Sequence, residues 1–447
     1  MFRKILIANR GEIALRIATV CRSLGVRTVA VYSEADAGLP HVEAADEALA
    51  IGPAPARDSY LNQTAILEAA RKSGAEAIHP GYGFLSENAE FARAVSEAGI
   101  VFVGPPPEAM LRMKDKSEAR RLAAAAGVPV VPGSDGTVET LADGLEVGRR
   151  IGYPLLVKAA NGGGGIGMTV AQDEASLEKA MRSCADRARS AFGRPGVYLE
   201  RYFPAPRHLE VQILGDGETT LHLFERECSV QRRYQKVVEE TASPLVLDKG
   251  PAFGERLYAA ALAAARAFGY ANAGTVELLI GDGEPYFMEM NARLQVEHPV
   301  TEATTGVDLI GWQLRIAAGE RLSFGQSEVR RSGHAFEFRI YAEDPVRFLP
   351  SPGKLLHFEP PVGEGIRCDS GYRTGDTVTP YYDPMIAKLI VSGASRAEAI
   401  ERSGAALAAF RIEGIKHNVP LHQRIVASEA FRRGELDTRF LERLPKL

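Results

Sequence analysis

The stretch Gly274-Thr275-Val276-Glu277-Leu278-Leu279-Ile280-Gly281-Asp282-Gly283-Glu284-Pro285-Tyr286-Phe287-Met288-Glu289-Met290-Asn291-Ala292-Arg293-Leu294-Gln295-Val296-Glu297-His298-Pro299 decides how the rest of the chain is read. Gly281-Asp282-Gly283 separates two runs of strand character and predicts a β-hairpin. If the second run stays extended, Glu289, Asn291, Arg293, Gln295 and Glu297 share one face, with Met290, Ala292, Leu294 and Val296 on the other. The hairpin then sets Glu277 beside Glu289, and two carboxylates with an amide oxygen are hard donors suited to Mg²⁺ or Mn²⁺. The competing reading is an edge hairpin with a solvated face. Lys, Thr and Ser are the commoner residues there, and buried carboxylates without a cation are costly, so the metal reading is preferred. Glu297 lies past the proposed ligands and near Arg293, where a base is expected, and His298 reads as structural.

Working outward, Gly215-Asp216-Gly217 marks a second hairpin, and from about Arg207 the chain reads as antiparallel strands. Upstream, Pro154-Leu155-Leu156-Val157-Lys158 is a predicted strand followed by Asn161-Gly162-Gly163-Gly164-Gly165-Ile166-Gly167-Met168. Four consecutive glycines free backbone N–H groups to turn onto phosphate oxygens, with Lys158 as a point charge. A flexible hairpin or linker has the same composition, and the run lacks the Gly-Lys-Ser/Thr ending of a P-loop. From Val128 to Arg201 the pattern reads as strands around this glycine cluster. Glu225 to Glu240, dense in paired charge, reads by itself as a surface helix laced with salt bridges.

The N-terminal third alternates. Lys4 to Ala8 is a predicted strand, Ile13 to Leu24 a helix closed by Gly25, and Thr28 to Tyr32 a strand. Helices at Tyr60 to Ser73 and Asn88 to Ala98, with strands at Glu76 to His79 and Ile100 to Val103, extend this to a parallel sheet. Asn9-Arg10-Gly11-Glu12 offers one glycine where a dinucleotide turn needs three. The prolines at 105–107 place a first domain boundary near Pro107 to Lys114. A length of 447 residues implies two to three domains, and a net charge of -4 supplies no basic field for nucleic acid. The four cysteines form no C-x-x-C, which suits reduced thiols in the cytoplasm. Leu257 to Ala267 falls short of the ~20 apolar residues of a membrane span, so no membrane segment is expected.

Ile7 to Ala14, His79 to Asn88, Lys158 to Met168, Gln231 to Glu240, Glu289 to Thr301, Leu349 to Gly353 and Tyr382 to Ile386, in that order, carry a resemblance. The chain resembles, over essentially its whole length, the biotin carboxylase component of biotin-dependent acyl-CoA carboxylases, a branch of the ATP-grasp superfamily. The resemblance implies an α/β and α+β fold with a Rossmann-like pre-ATP-grasp domain at 1–114. An ATP-grasp domain follows at 115–330, with its lid at about 130–203, and a C-terminal domain at 331–447. It implies that ATP and bicarbonate form carboxyphosphate, whose carbon dioxide passes to the ureido N1 of biotin. ATP, Mg²⁺ or Mn²⁺, and biotin on a separate carrier chain are the implied cofactors. A biotin carboxyl carrier protein, carboxyltransferase subunits and a second copy in a homodimer are the implied partners. No Ala-Met-Lys-Met motif occurs, so the carrier is expected on another polypeptide.

By the same resemblance, Lys116 and Lys158 match phosphate contacts, Gly164 and Gly165 lie in the lid, and Glu200, Arg201 and Phe203 flank the adenine. His208, Gln231, Tyr234 and Leu279 complete the nucleotide set, and Glu277, Glu289 and Asn291 match the metal ligands. Lys236, Arg293, Gln295, Val296 and Glu297 match the bicarbonate pocket, with Glu297 as base; Arg339 and Tyr82 match the biotin site. Ile166 stands where many relatives have Arg or Lys, and Tyr234 where His or Asn is usual, so altered nucleotide affinity is expected. The alternatives are an ATP-grasp ligase for a different acid and a non-catalytic scaffold.

Overall fold

The N-terminal alternation folds as its pattern requires in the computed structural model of the chain, which describes residues 1–159, 168–192 and 197–445. Strands β1 (Lys4–Ile7), β2 (Arg27–Tyr32), β3 (Glu47–Ala50), β4 (Ala77–His79) and β5 (Val101–Phe102) pair in parallel in the order β3-β2-β1-β4-β5. The strand order reverses between β1 and β4, where open α/β sheets hold their functional loops. Asn9 joins the two loops there, its Nδ2 donating to the carbonyls of Pro80 and Tyr82, both at 2.7 Å. β3 was not predicted, because four residues half of which are alanine carry little strand signal. The predicted helix from Tyr60 begins instead at Gln63, where Asn62 caps it by accepting from the Ala65 N–H at 3.1 Å.

By its contacts the chain forms two compact units: Met1–Val128, Arg207–Leu279 and Glu289–Leu447 in the first, Pro129–Pro206 and Ile280–Met288 in the second. The second unit contains an antiparallel sheet of β6 (Leu155–Ala159), β7 (Thr169–Ala171) and β8 (Val197–Arg201) in the order β7-β6-β8. Its core joins Leu155, Val157 and Leu199 to Leu177, Ala180 and Met181. The last three lie on a helix, Glu174–Phe192, and a further helix spans Leu141–Ile151; the strand reading of this region missed both. Their apolar spacing was overshadowed by the glycine run.

The largest sheet has eight strands, β9 (Arg207–Gly215), β10 (Thr220–Arg232), β11 (Gln235–Thr241), β12 (Asn272–Gly281), β13 (Glu284–Asn291), β14 (His334–Tyr341), β17 (Ile366–Ser370) and β19 (Met385–Gly393). Its order is β13-β12-β9-β10-β11-β14-β19-β17. Two short pairs complete the strands of the described residues: β15 (Gly353–Lys354) with β18 (Thr377–Val378), and β16 (His357–Glu359) with β20 (Arg411–Glu413). The Glu225 to Glu240 segment is therefore not a surface helix but parts of two buried strands. Its charges find long-range partners instead of helical ones: Arg226 with Glu210, Arg331 with Glu225, Arg232 with Glu343. Arg233 and Tyr234 turn the β10–β11 hairpin with φ of 49° and 71°, the left-handed pair that a tight hairpin requires.

β13 ends at Asn291, and the chain turns through Ala292 to Val296 into a helix, His298–Thr305, with Glu297 at its N-cap position. Pro299 suits the first turn of a helix and forbids a continuing central strand, so Arg293, Gln295 and Glu297 are delivered by a turn. One side of the large sheet buries Phe336 and Phe338 among Leu389, Leu407, Ile425 and Phe431. Phe336 is fully buried, its ring centre 5.4 Å from that of Phe431. Truncating Phe336→Ala is expected to cost about 3–5 kcal/mol, read as a lower denaturant midpoint; a midpoint equal to the parent's would show that this core does not hold the sheet.

Candidate active site

Pairing register explains how a lysine reaches the centre of the sheet. Gln231 pairs with Lys236 while Val230 pairs with Val238, so Val237 is an extra residue in β11. A bulge reverses the pleat locally, and Lys236 joins Glu239 on one face. The Lys236 Nζ donates to Glu210 Oε2 at 2.5 Å, Glu297 Oε1 at 2.7 Å and Glu277 Oε1 at 3.0 Å. Arg339, on β14, donates through Nε to Glu239 Oε1 at 2.6 Å and through Nη2 to Glu297 Oε2 at 3.0 Å. Both oxygens of Glu297 are thus gripped by cations. The residue caps no N–H of its own helix, which leaves its carboxylate free to face them, and the positive end of that helix adds to their pull.

Burial alone would push these carboxyls upward, but the neighbouring cations decide. Glu297 is held well below the usual carboxylate range by Lys236, Arg339 and Arg226, and Glu277 likewise by Lys236 and His208. Lys236 is held well above its usual value despite burial, by Glu210, Glu277 and Glu297. Glu239 goes the other way: burial pushes it up to about 7, with Arg339 only partly opposing.

Around this centre, fully buried Arg226 donates to Glu210 at 2.6 Å, Gln212 at 2.7 Å, Thr301 at 2.9 Å, Thr275 at 3.1 Å and Gln295 Oε1 at 3.2 Å. Gln295 is held at its other end, donating to Glu277 Oε1 at 2.8 Å. Arg293 pairs with Glu87 at 3.2 Å and donates to Asn291 Oδ1 at 3.1 Å, whereas Glu297 meets Lys236 and Arg339. Val296 offers its main-chain carbonyl to Lys388 Nζ at 2.9 Å. Tyr82 donates its hydroxyl to Glu12 Oε1, and the Lys388 Nζ lies 5.8 Å from the centre of its ring.

Of the nucleotide residues in the first unit, His208 links Gln231 (Nδ1 to Nε2, 2.6 Å) and Glu277 (Nε2 to Oε2, 3.0 Å). Lys116 pairs with Glu289 at 3.1 Å in an open position, and Leu279 is half-buried on β12. Tyr234, at the hairpin turn, is 75% exposed and stands clear of the buried cluster. In the second unit, Lys158 pairs with Glu200, Arg201 with Asp282 at 3.5 Å, and Phe203 stacks on Tyr286 with ring centres 5.4 Å apart. Gly164, Gly165 and Ile166 lie outside the described residues.

The donor set suits a hard cation. Glu277, Glu289 and Asn291 offer two carboxylates and an amide oxygen, and Asn291 already touches Glu277, Nδ2 to Oε1 at 2.9 Å. Glu277 and Glu289 keep different partners here, Lys236 and His208 for one and Lys116 for the other. The sequence reading missed Glu210, Arg226, Glu239 and Lys388. Glu210 and Lys388 lie on strands between apolar residues, Leu209-Glu210-Val211 and Ala387-Lys388-Leu389, an alternation that marks a polar face but not a buried one, and Arg226 and Glu239 lie within the charge-dense segment that reads by itself as a surface helix.

Comparison with known proteins gives the family of the chain. The sequence pattern of the biotin carboxylase N-terminal domain matches residues 1–110, that of the carbamoyl-phosphate synthase L chain ATP-binding domain residues 115–324, and that of the biotin carboxylase C-terminal domain residues 337–443. A biotin carboxylase of Halalkalibacterium halodurans is 52% identical over 444 residues, covering 99% of this chain and 97% of the relative. The crystal structure of the biotin carboxylase β-γ-ATP complex from Campylobacter jejuni superposes with a TM-score of 0.92 at 43% identity, covering 99% of both chains. The biotin carboxylase domain dimer of the Hydrogenobacter thermophilus 2-oxoglutarate carboxylase, in complex with MgADP, ADP and bicarbonate, gives 0.90 at 45% identity, covering 99% of this chain and 97% of that one. The chain belongs to the biotin carboxylase family.

One further carboxyl behind the site sets a pH dependence. Burial pushes Glu12 up to about 7, with Lys388 opposing. Below the ordinary carboxylate range its contribution to stability is fully present; as pH rises through about 7 the folded chain must ionise it and the contribution is lost. Glu12→Gln is therefore expected to flatten the fall in denaturant midpoint between about pH 5 and 8, and an equally steep fall in the variant would contradict the assignment.

Proposed function

We propose that the chain uses ATP and bicarbonate to carboxylate biotin borne on a separate carrier protein. This is the first half-reaction of an acyl-CoA or 2-oxo acid carboxylase, performed as a homodimer alongside a carboxyltransferase. The observation that carries this reading is Glu297, an ionised carboxylate gripped on one oxygen by Lys236 and on the other by Arg339. A carboxylate so stabilised is a poor base by itself. Bicarbonate entering beside it competes for the same cations. As Lys236 turns part of its charge to the incoming anion, the proton affinity of Glu297 rises while that of the bicarbonate hydroxyl falls, and the proton passes to Glu297.

The freed oxygen attacks the γ-phosphorus of ATP, ADP leaves, and carboxyphosphate forms; transfer to so weak a nucleophile depends on positioning and charge neutralisation. Lys236, Arg293 and Gln295 are fixed donors for the anion, better than water that must reorganise. Carboxyphosphate breaks to carbon dioxide and phosphate, phosphate takes the N1 proton of biotin, and N1 attacks carbon dioxide. Arg339 faces the ureido oxygen as negative charge develops there, with Tyr82 on the biotin side. Glu277, Glu289 and Asn291 would hold a divalent cation, which would neutralise phosphate charge. His208, Gln231, Leu279 and Lys116 are assigned to the nucleotide in this reading, as are Lys158, Glu200, Arg201 and Phe203. Relatives solved as a β-γ-ATP complex and with MgADP, ADP and bicarbonate support ATP and bicarbonate as the substrates of this reading.

The purified chain is expected to release ADP in a manner dependent on bicarbonate and stimulated by biotin. ADP release indifferent to both would return the reading to a ligase for a different acid. Glu297→Gln is expected to lower the bicarbonate-dependent rate about a hundredfold or more; parental turnover in that variant would favour a scaffold. Lys236→Gln is expected to spare ATP binding and raise the bicarbonate requirement, and an unchanged requirement would remove Lys236 from the pocket.

A further inference from the structure

Lys388 is a fully buried cation to which the reaction sequence gives no task. It lies on β19 directly across from Arg339 of β14, and across from Asp369 of β17 on its other side. Directly opposed residues of antiparallel strands share a face, so Arg339, Lys388 and Asp369 form a charged row. Glu337, two residues from Arg339, shares that face, and neither of its carboxyl oxygens has a hydrogen-bond partner among the described residues.

With acidic groups on several sides, the Lys388 ammonium nevertheless donates to a main-chain oxygen, the Val296 carbonyl at 2.9 Å; Glu12 Oε2 is farther, at 3.3 Å. That carbonyl belongs to the peptide plane that carries the Glu297 nitrogen, so fixing one end of the plane fixes the Cα of Glu297 at the other. Among the described residues no strand ladder holds this segment, which lies between the end of β13 and the start of the helix. The carbonyls on either side are satisfied locally: Gln295 accepts from the His298 ring at 2.8 Å and Glu297 from the Val300 N–H at 3.3 Å. Lys388 supplies the donor for the carbonyl between them. Burial pushes Glu12 and Glu337 toward their protonated forms, so the pocket retains a way to stay neutral if the ammonium is removed.

We propose that Lys388 is a positioning residue for bicarbonate activation, holding the Val296 carbonyl so that the Glu297 carboxylate stays between Lys236 and Arg339. The proposal rests on the reading of Glu297 as the base of a bicarbonate site. It is tested by measuring KM for bicarbonate and for ATP separately in the parent and in Lys388→Met. The expected result is a bicarbonate KM raised about tenfold, the loss of one charge-assisted hydrogen bond, with KM for ATP within about twofold. Lys388→Gln, which keeps a shorter N–H donor, is expected to fall between, and it carries the test alone if the methionine variant does not fold. Asp369→Asn loosens the same row but leaves the bond to Val296, and is expected to keep the parental bicarbonate KM. The proposal is overturned by a parental bicarbonate KM in the folded Lys388 variants, by a parallel rise in both KM values, or by the same defect in Asp369→Asn. A parent enzyme with no bicarbonate dependence is the distinct outcome that overturns the site reading, and this proposal with it.

Discussion

The site depends on one ammonium group. Lys236 sits within 3.0 Å of carboxylate oxygens from Glu210, Glu277 and Glu297, which come from β9, from β12 and from the N-cap of a helix. Without that cation, three buried carboxylates would face one another in a region where an unpaired charge costs several kcal/mol. With it, the sheet can bring acidic residues from distant parts of the chain to one point. The bulge in β11 aims Lys236 there, and Arg226 secures the rear by tying Glu210 to Gln295.

A buried ion cluster of this kind is poor evidence for stability, since well-packed apolar groups often serve as well. Its meaning is chemical. Glu297 is held between two cations, and on the proposed reading an incoming anion shares them, so that the contacts that keep it ionised beforehand loosen as the substrate arrives. Glu239 is the counterpart, pushed up to about 7 by burial beside Arg339. Two carboxyls are thereby driven apart in proton affinity by their surroundings, an arrangement often found where protons are moved.

Much of this was legible in the sequence. The parallel N-terminal sheet followed from strand and helix periods, and Gly281-Asp282-Gly283 marked the hairpin that carries Glu277 and Asn291. The sequence misled where local pattern and tertiary partners disagreed. Glu225 to Glu240 has the charge density of an exposed helix, yet Arg226, Arg232 and Glu225 find partners between 14 and 111 residues away, and separations of that kind leave no local signal. Extending β13 to Glu297 ignored Pro299, whose fixed φ starts a helix. That error mattered, because the turn sends Arg293 toward Glu87 and Glu297 toward Lys236. Lys388 was passed over because a lysine with apolar neighbours on a strand looks like any solvated lysine until its surroundings are known.

The central claim is that Glu297 is kept ionised within the fold by Lys236 and Arg339. It is tested most directly by infrared difference spectroscopy, parent minus Glu297→Gln, recorded from about pH 8 downward past the usual carboxylate range. The account predicts that the carboxylate band of Glu297 persists to pH values at which an ordinary glutamate is already protonated. Loss of that band, with a protonated carboxyl band appearing near neutral pH, would contradict it.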